Sequence, residues 1–128
     1  EQLMHEMALC RNVVDMVLEE ADKVGAQRVS GVYLTVGYSR DIVESLFDDV
    51  FKWLSRDTKL EGASLYITRV PFTVKCLECG YIYHVDVHDP DTLPCPKCGK
   101  KRYTLHSGME FFINDIEVVM PSEPIKEQ

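Results

Sequence analysis

Apolar residues recur with a helical period near the start of the chain. Cys10, Val13, Val14, Val17, Leu18 and Ala21 fall at i, i+3, i+4, i+7, i+8 and i+11 and so share one face. The spacing predicts an amphipathic helix over Glu6 to Val24. Asp15, Glu19, Glu20, Asp22 and Lys23 lie mostly off the stripe, and Gly25 is its stop. Val32 to Val36, rich in β-branched and aromatic residues, reads as a strand that Gly37 breaks. A second apolar stripe follows in Val43, Leu46, Phe47, Val50, Phe51 and Leu54, with Asp41 and Glu44 spaced as an N-terminal capping pair. Gly62 precedes a second strand, Ala63 to Val70, which Pro71 ends. A third strand signal lies between Met109 and Met120, in Phe111-Phe112-Ile113 and Ile116 to Val118. The tail Pro121 to Gln128, with two prolines and little apolar content, reads as a frayed end. This order predicts an α/β fold of the α+β type, two amphipathic helices covering one face of a small three-stranded sheet.

The segment between the second and third strands breaks the pattern. Phe72 to Gly108 holds four of the five cysteines and three of the four histidines. It carries five basic residues (Lys75, Lys97, Lys100, Lys101, Arg102) against four acidic ones (Glu78, Asp86, Asp89, Asp91), a charge of +1. The whole chain is −7, so the remainder carries −8. Segments below ~40 residues rarely hold together by apolar burial alone and need a metal or disulfides. The expected organisation is therefore one α/β domain, residues 1–71 and 109–128, interrupted by an inserted metal-binding domain, residues 72–108.

Composition narrows the function classes. With 128 residues, 45% hydrophobic and 27% charged, the chain is an ordinary globular protein. No apolar run approaches the ~20 residues of a membrane span, and no basic-then-apolar leader opens the sequence, so a cytoplasmic protein is expected. The acidic balance argues against a general nucleic-acid binder, which needs a local excess of Lys and Arg. No paired carboxylates, nucleophile–base set or phosphate-cradling glycine loop emerges, which points away from an enzyme.

The cysteines are spaced Cys76-Leu-Glu-Cys79-Gly80 and Cys95-Pro-Lys-Cys98-Gly99, with fifteen residues between Cys79 and Cys95. Two residues between cysteines, followed by glycine, form a tight knuckle that turns both sulfurs toward one ion. Two knuckles supply four thiolates in a tetrahedron, the donor set of a closed structural zinc site. Rubredoxin-like iron, paired disulfides and a redox Cys-x-x-Cys are the rival readings. Nothing marks secretion, and a redox motif does not require two matched knuckles. Cys10, on the first apolar stripe, reads as a buried small hydrophobe. His84, His88 and His106 read as packed or solvated side chains, and Tyr81 and Tyr83 as packing on the first knuckle. The basic run Lys97, Lys100, Lys101 and Arg102 is what a nucleic-acid-binding zinc ribbon would show, though a solvated rim suits the acidic chain better.

Met4-His5-Glu6 opens the first helix. Read blandly, it is a helix start with an acid near the positive end of the dipole. If Met4 is the biological start, its free amine, the backbone nitrogen of His5 and the imidazole could chelate one ion through fused small rings. Such nitrogen-rich, nearly planar coordination suits Ni(II) or Cu(II).

Taken in order, Met4-His5-Glu6 at a helix head, the Val36-Gly37 turn, the two cysteine pairs and Gly108-x-Glu110-x-x-Ile113 resemble the HypA/HybF family of nickel metallochaperones. The resemblance spans Met4 to about Val119. It implies a nickel-binding α/β domain with an inserted zinc domain. Cys76, Cys79, Cys95 and Cys98 match the family's zinc ligands, and His5 its nickel-binding histidine, with Met4 and Glu6 contributing through backbone or side-chain atoms. It also implies delivery of Ni(II) to the large subunit of NiFe hydrogenase with a HypB-type GTPase, and in some members service to urease maturation proteins. The chain departs from the family pattern after Gly37, where Tyr38-Ser39-Arg40-Asp41 stands in place of an acidic residue directly after glycine.

Overall fold

The structure is a computed structural model and describes residues 2–38, 40, 42–86 and 88–122. Its elements run α1 (Gln2–Lys23), β1 (Arg28–Gly37), α2 (Glu44–Ser55), β2 (Ser64–Val70), β3 (Thr73–Cys76), β4 (Ile82–His84), a 3-10 turn (Pro90–Thr92), β5 (Tyr103–Ser107) and β6 (Phe111–Val119). Two three-stranded sheets result, one ordered β2-β1-β6 and the other β4-β3-β5. The expected two helices and small sheet are present, with the four cysteines gathered in a module of their own. The chain separates into two compact units. One comprises Glu1–Leu34, Ile42–Tyr66 and Ile113–Gln128, the other Thr35–Asp41 and Ile67–Phe112. No helix among the described residues is long and apolar enough to cross a membrane.

In the first unit, α1 buries the stripe its sequence announces. Cys10, Val13, Val14, Val17 and Ala21 are buried, and Leu18 sits half-buried at the edge. Each full burial of such an aliphatic contributes about 1.5–3 kcal/mol. The helix starts four residues before the predicted Glu6. The stripe runs one turn further back, and the residue it reaches, Glu6, is itself fully buried. At the other end Gly25 adopts φ 72°, and the Gly25 and Ala26 N–H groups return to Asp22 and Ala21 oxygens at 3.2 and 2.9 Å. This is a Schellman closure, which the left-handed glycine permits.

Helix α2 packs on α1 through Phe47, Val50 and Phe51. The predicted capping pair takes another form. Asp41 lies outside the described residues, Glu44 is the first helical residue, and Val43 holds the N-cap position without a side-chain cap. Val43 is exposed there, although its spacing placed it on the apolar stripe. Its N–H donates instead to Glu6 Oε2 at 2.5 Å. Of the predicted frayed tail, residues 123–128 lie outside the described residues.

The second unit holds structure that the hydrophobic pattern did not announce. Strand β3 pairs antiparallel with β4 (Val74 opposite Tyr83) and with β5 (Cys76 opposite Tyr103), with a bulge at Thr73/Val74. These strands have three to five residues, and β5 is exposed along nearly its whole length. An alternating apolar pattern therefore never forms in the sequence. The core is correspondingly small: Val74, Cys76, Tyr83, Val85 and Cys95, with Phe72 and Leu93 against it. Two of those five residues are cysteines of the knuckles. Tyr83 is buried with its hydroxyl donating to the Leu93 carbonyl at 2.7 Å, which satisfies its polar end.

Candidate metal centre

The two knuckles are built alike. The Cys76 N–H donates to the Tyr81 carbonyl and the Cys95 N–H to the Lys100 carbonyl, both at 2.8 Å. The Gly80 and Gly99 N–H groups return to the Cys76 and Cys95 carbonyls at 2.9 and 2.7 Å, and both glycines have φ 79°. A β-carbon is strained at that angle, so glycine after each second cysteine is what closes the turn. Facing each other, the knuckles bring Cys76 Sγ to 3.5 Å from Cys98 Sγ and Cys79 Sγ to 3.6 Å from Cys95 Sγ. All four sulfurs lie within 4.8 Å of one another. A tetrahedron with metal–sulfur bonds near 2.3 Å has sulfur separations of about 3.8 Å, so the spacing fits one ion. All five cysteines are free thiols in this structure.

The electrostatics of the knuckles favour thiolates at their first cysteines. Cys76 is lowered to about 7, chiefly by the backbone N–H of Cys79 with help from that of Glu78. At Cys95 burial pushes the thiol up, but the N–H groups of Cys98 and Lys97 outweigh it and the net shift is downward. The Lys97 N–H lies 3.4 Å from Cys95 Sγ. Cys79 and Cys98 go the other way. A backbone N–H, from Tyr81 and Lys100 respectively, favours their thiolates, yet burial and the neighbouring sulfurs prevail, and Cys98 rises to about 12. Four sulfurs this close do not all ionise without a cation between them. This is a four-cysteine metal-binding site.

The rim of the site uses its charges locally. Lys97 Nζ sits 5.6 Å from the centre of the Tyr81 ring, and Arg102 pairs with Glu78 at 2.7 Å. His84, His88 and His106 are exposed. Among the described residues, the four cysteines are the only cluster of three or more potential metal-ligating His, Cys, Asp or Glu side chains. Cys10 stands apart in the core of the first unit, fully buried, where burial pushes its thiol up to about 12.

Met4, His5 and Glu6 occupy the first turns of α1. Met4 projects into solvent, 74% exposed, and the His5 side chain is 48% exposed. Glu6 is fully buried, with Oε1 at 2.9 Å from His5 Nδ1 and Oε2 receiving the Val43 N–H. The three neighbours in sequence thus play different structural parts: one free, one half-presented and one held inside.

A family model described as "Hydrogenase/urease nickel incorporation, metallochaperone, hypA" matches residues 4–118 of the chain. The chain belongs to the HypA family. Its relatives include the hydrogenase maturation factor HypA of Dehalococcoides mccartyi, 32% identical over 115 residues, covering 90% of this chain and 94% of that protein. The hydrogenase maturation factor HybF of Morganella morganii is 32% identical over 114 residues, covering 89% and 98%. The solution structure of the Ni metallochaperone HypA from Helicobacter pylori aligns with a TM-score of 0.62 at 20% identity, covering 91% of this chain and 98% of that one, a likeness of fold. As a HypA-family member the chain sits among metallochaperones and maturation factors.

The spacing of the cysteines was enough to foresee that they meet. The burial of Glu6 was not foreseen, although a signal for it was present: the residue lies four positions before Cys10 and therefore on the same helical face. A charged residue at a stripe position is a buried group with partners or a break in the stripe, and only the fold supplies the partners.

Proposed function

We propose that this HypA-family protein is a nickel metallochaperone that takes up Ni(II) at His5 and passes it on during maturation of NiFe hydrogenase. The observation carrying the reading is the His5 imidazole, half-exposed on the first turns of α1 and steadied by a buried carboxylate. A donor at a helix end, where local opening costs little, suits a cargo that must be captured and later released. Atoms of Met4 and Glu6 complete the nickel site. Zn(II) is the resident ion of the second centre, held by Cys76, Cys79, Cys95 and Cys98 as a closed four-thiolate site with a structural role. Residues 72–108 act as the zinc domain and residues 1–71 with 109–128 as the nickel-binding domain. The protein works in the cytoplasm, catalyses no turnover of its own, and meets a HypB-type GTPase and the hydrogenase large subunit. Urease maturation proteins are a second set of clients in the same reading.

Isothermal calorimetry with Ni(II) on a chain beginning at Met4, zinc already bound, tests the assignment. Nickel binding is expected to weaken strongly in the His5→Ala protein, while zinc content stays at one ion per chain. Nickel binding indifferent to His5→Ala would remove the site from this histidine.

A further inference from the structure

Side chains alternate across a strand, so Gly31 and Tyr33 of β1 lie on the sheet face opposite to the buried Val32 and Leu34. On that face Tyr33 stacks on Tyr66 of β2, with ring centres 4.6 Å apart and planes 17° from parallel. Tyr33 is half-buried and Tyr66 is 46% exposed. From the other neighbouring strand, β6, Glu117 lies across Gly31, where a β-carbon would meet its Oε1 at 2.8 Å. The missing side chain lets this carboxylate reach Tyr33, whose hydroxyl donates to Oε2 at 3.4 Å. The Ser30 hydroxyl donates to the Glu117 carbonyl at 3.3 Å and ties the same stretch of β6 to β1. Asp115 and Glu117 are both exposed, and neither pairs with a lysine or arginine among the described residues. Their field is felt at Tyr33. Its hydroxyl is pushed above the ordinary value, first by desolvation and then by Glu117, Tyr66 and Asp115, all of them acids.

Stacked phenol rings beside two unpaired carboxylates suit a cation that is also flat. An arginine guanidinium stacks on aromatic faces, stays charged at any working pH and offers a fork of donors to a carboxylate. A lysine ammonium brings the charge without the plane. We propose that Tyr33, Tyr66, Asp115 and Glu117 form a docking surface for an arginine-bearing segment of a partner protein. The chain outside residues 72–108 carries −8, which draws a basic segment inward and repels anionic partners such as nucleic acid. The acids of α1 share in that charge. What singles out the sheet face is the carboxylate held beside the aromatic stack. None of its four residues belongs to either metal centre, so the surface does not depend on the nickel reading.

The variant that separates a built surface from general acidity is Gly31→Ala. It alters no charge and no ring, yet its methyl group displaces the Glu117 carboxylate from its place beside Tyr33. Amide chemical shifts of the full chain are followed while a tetra-arginine peptide, and separately a tetra-lysine peptide, is added at low salt. The shifts are expected to centre on Gly31, Tyr33, Tyr66, Asp115 and Glu117, with arginine bound more tightly than lysine. Gly31→Ala, Glu117→Gln and Tyr66→Leu should each weaken the arginine peptide about two- to fivefold, the range of an exposed cation–π contact or ion pair. Glu19→Gln, which removes an exposed acid of α1, should leave its affinity unchanged. Equal affinity for the two peptides overturns the proposal, as do shifts spread over the acids of α1 or binding indifferent to Gly31→Ala. If a variant does not fold, the shift map and the arginine–lysine comparison in the parent chain decide.

Discussion

Two glycines of β1 invite opposite outcomes on substitution by alanine. A β-carbon at Gly37 would lie 1.9 Å from the Gly108 carbonyl oxygen, 2.0 Å from its carbon and 2.6 Å from the Met109 nitrogen, all backbone. Ordinary contact begins near 3.4 Å. The segments must therefore part by about 1.5 Å, in a core where even one methylene is felt. Parting them breaks the bond from the Gly37 N–H to the Glu110 carbonyl, now 2.7 Å. Overpacking costs about 1–3 kcal/mol and an orphaned buried N–H a similar amount, so Gly37→Ala should lose about 4 kcal/mol. At Gly31 the nearest atom is Glu117 Oε1 at 2.8 Å, the far end of a side chain that can swing away. What it gives up is the long 3.4 Å contact with the Tyr33 hydroxyl. Gly31→Ala should fall within about 1 kcal/mol of the parent, since a less flexible unfolded chain offsets that contact. Guanidinium unfolding at matched metal content, followed by circular dichroism, reads both. For a slope near about 4 kcal/mol per M the first variant shifts the midpoint by about 1 M and the second hardly at all. Coincident midpoints for the two variants would refute the reasoning.

Other expectations concern the thiols. After chelation of the metal, a thiol reagent should modify the four knuckle cysteines, and Cys10 only when the chain is unfolded, because Cys10 is fully buried under α1; five thiols reacting in the folded chain would contradict the packing of α1. Cys10 is raised in the folded state, so it favours folding below the ordinary thiol range near 9. That contribution declines as pH climbs through about 12, and the loss should be absent from Cys10→Ala in alkaline unfolding curves. Zinc uptake at pH 7 should release at least two protons per ion, since Cys79 and Cys98 hold theirs in the metal-free protein; calorimetry in buffers of different ionisation enthalpy counts them. Affinity should fall on acidification, because the thiolates of Cys76 and Cys95 must then be regenerated as well. Cys79→Ala should lower metal content and loosen the 67–112 unit, whose small core contains Cys76 and Cys95; an unchanged zinc-to-protein ratio would speak against the four-thiolate site.

The parts of this molecule that were legible in its sequence are those governed by short-range periodicity. The stripe from Cys10 to Ala21, the second from Phe47 to Phe51 and the repeated knuckle each need only neighbours within about one turn to declare themselves. The strands of the cysteine unit did not, because β4 has three residues and β5 is exposed on both faces, so neither carries an apolar alternation. The Asp41–Glu44 pair suggested a local cap, whereas the N-cap residue Val43 draws on a glutamate 37 residues earlier in the chain. The sequence by itself determined which helices form and which four cysteines meet, since both follow from covalent spacing. Only the tertiary structure decided how Met4, His5 and Glu6 are each placed, the first exposed, the second half-exposed and the third buried. A carboxylate on an apolar stripe is stable inside a protein only where partners replace its water, and one of them, the Val43 N–H, comes from the start of another helix, at a distance that no local pattern encodes.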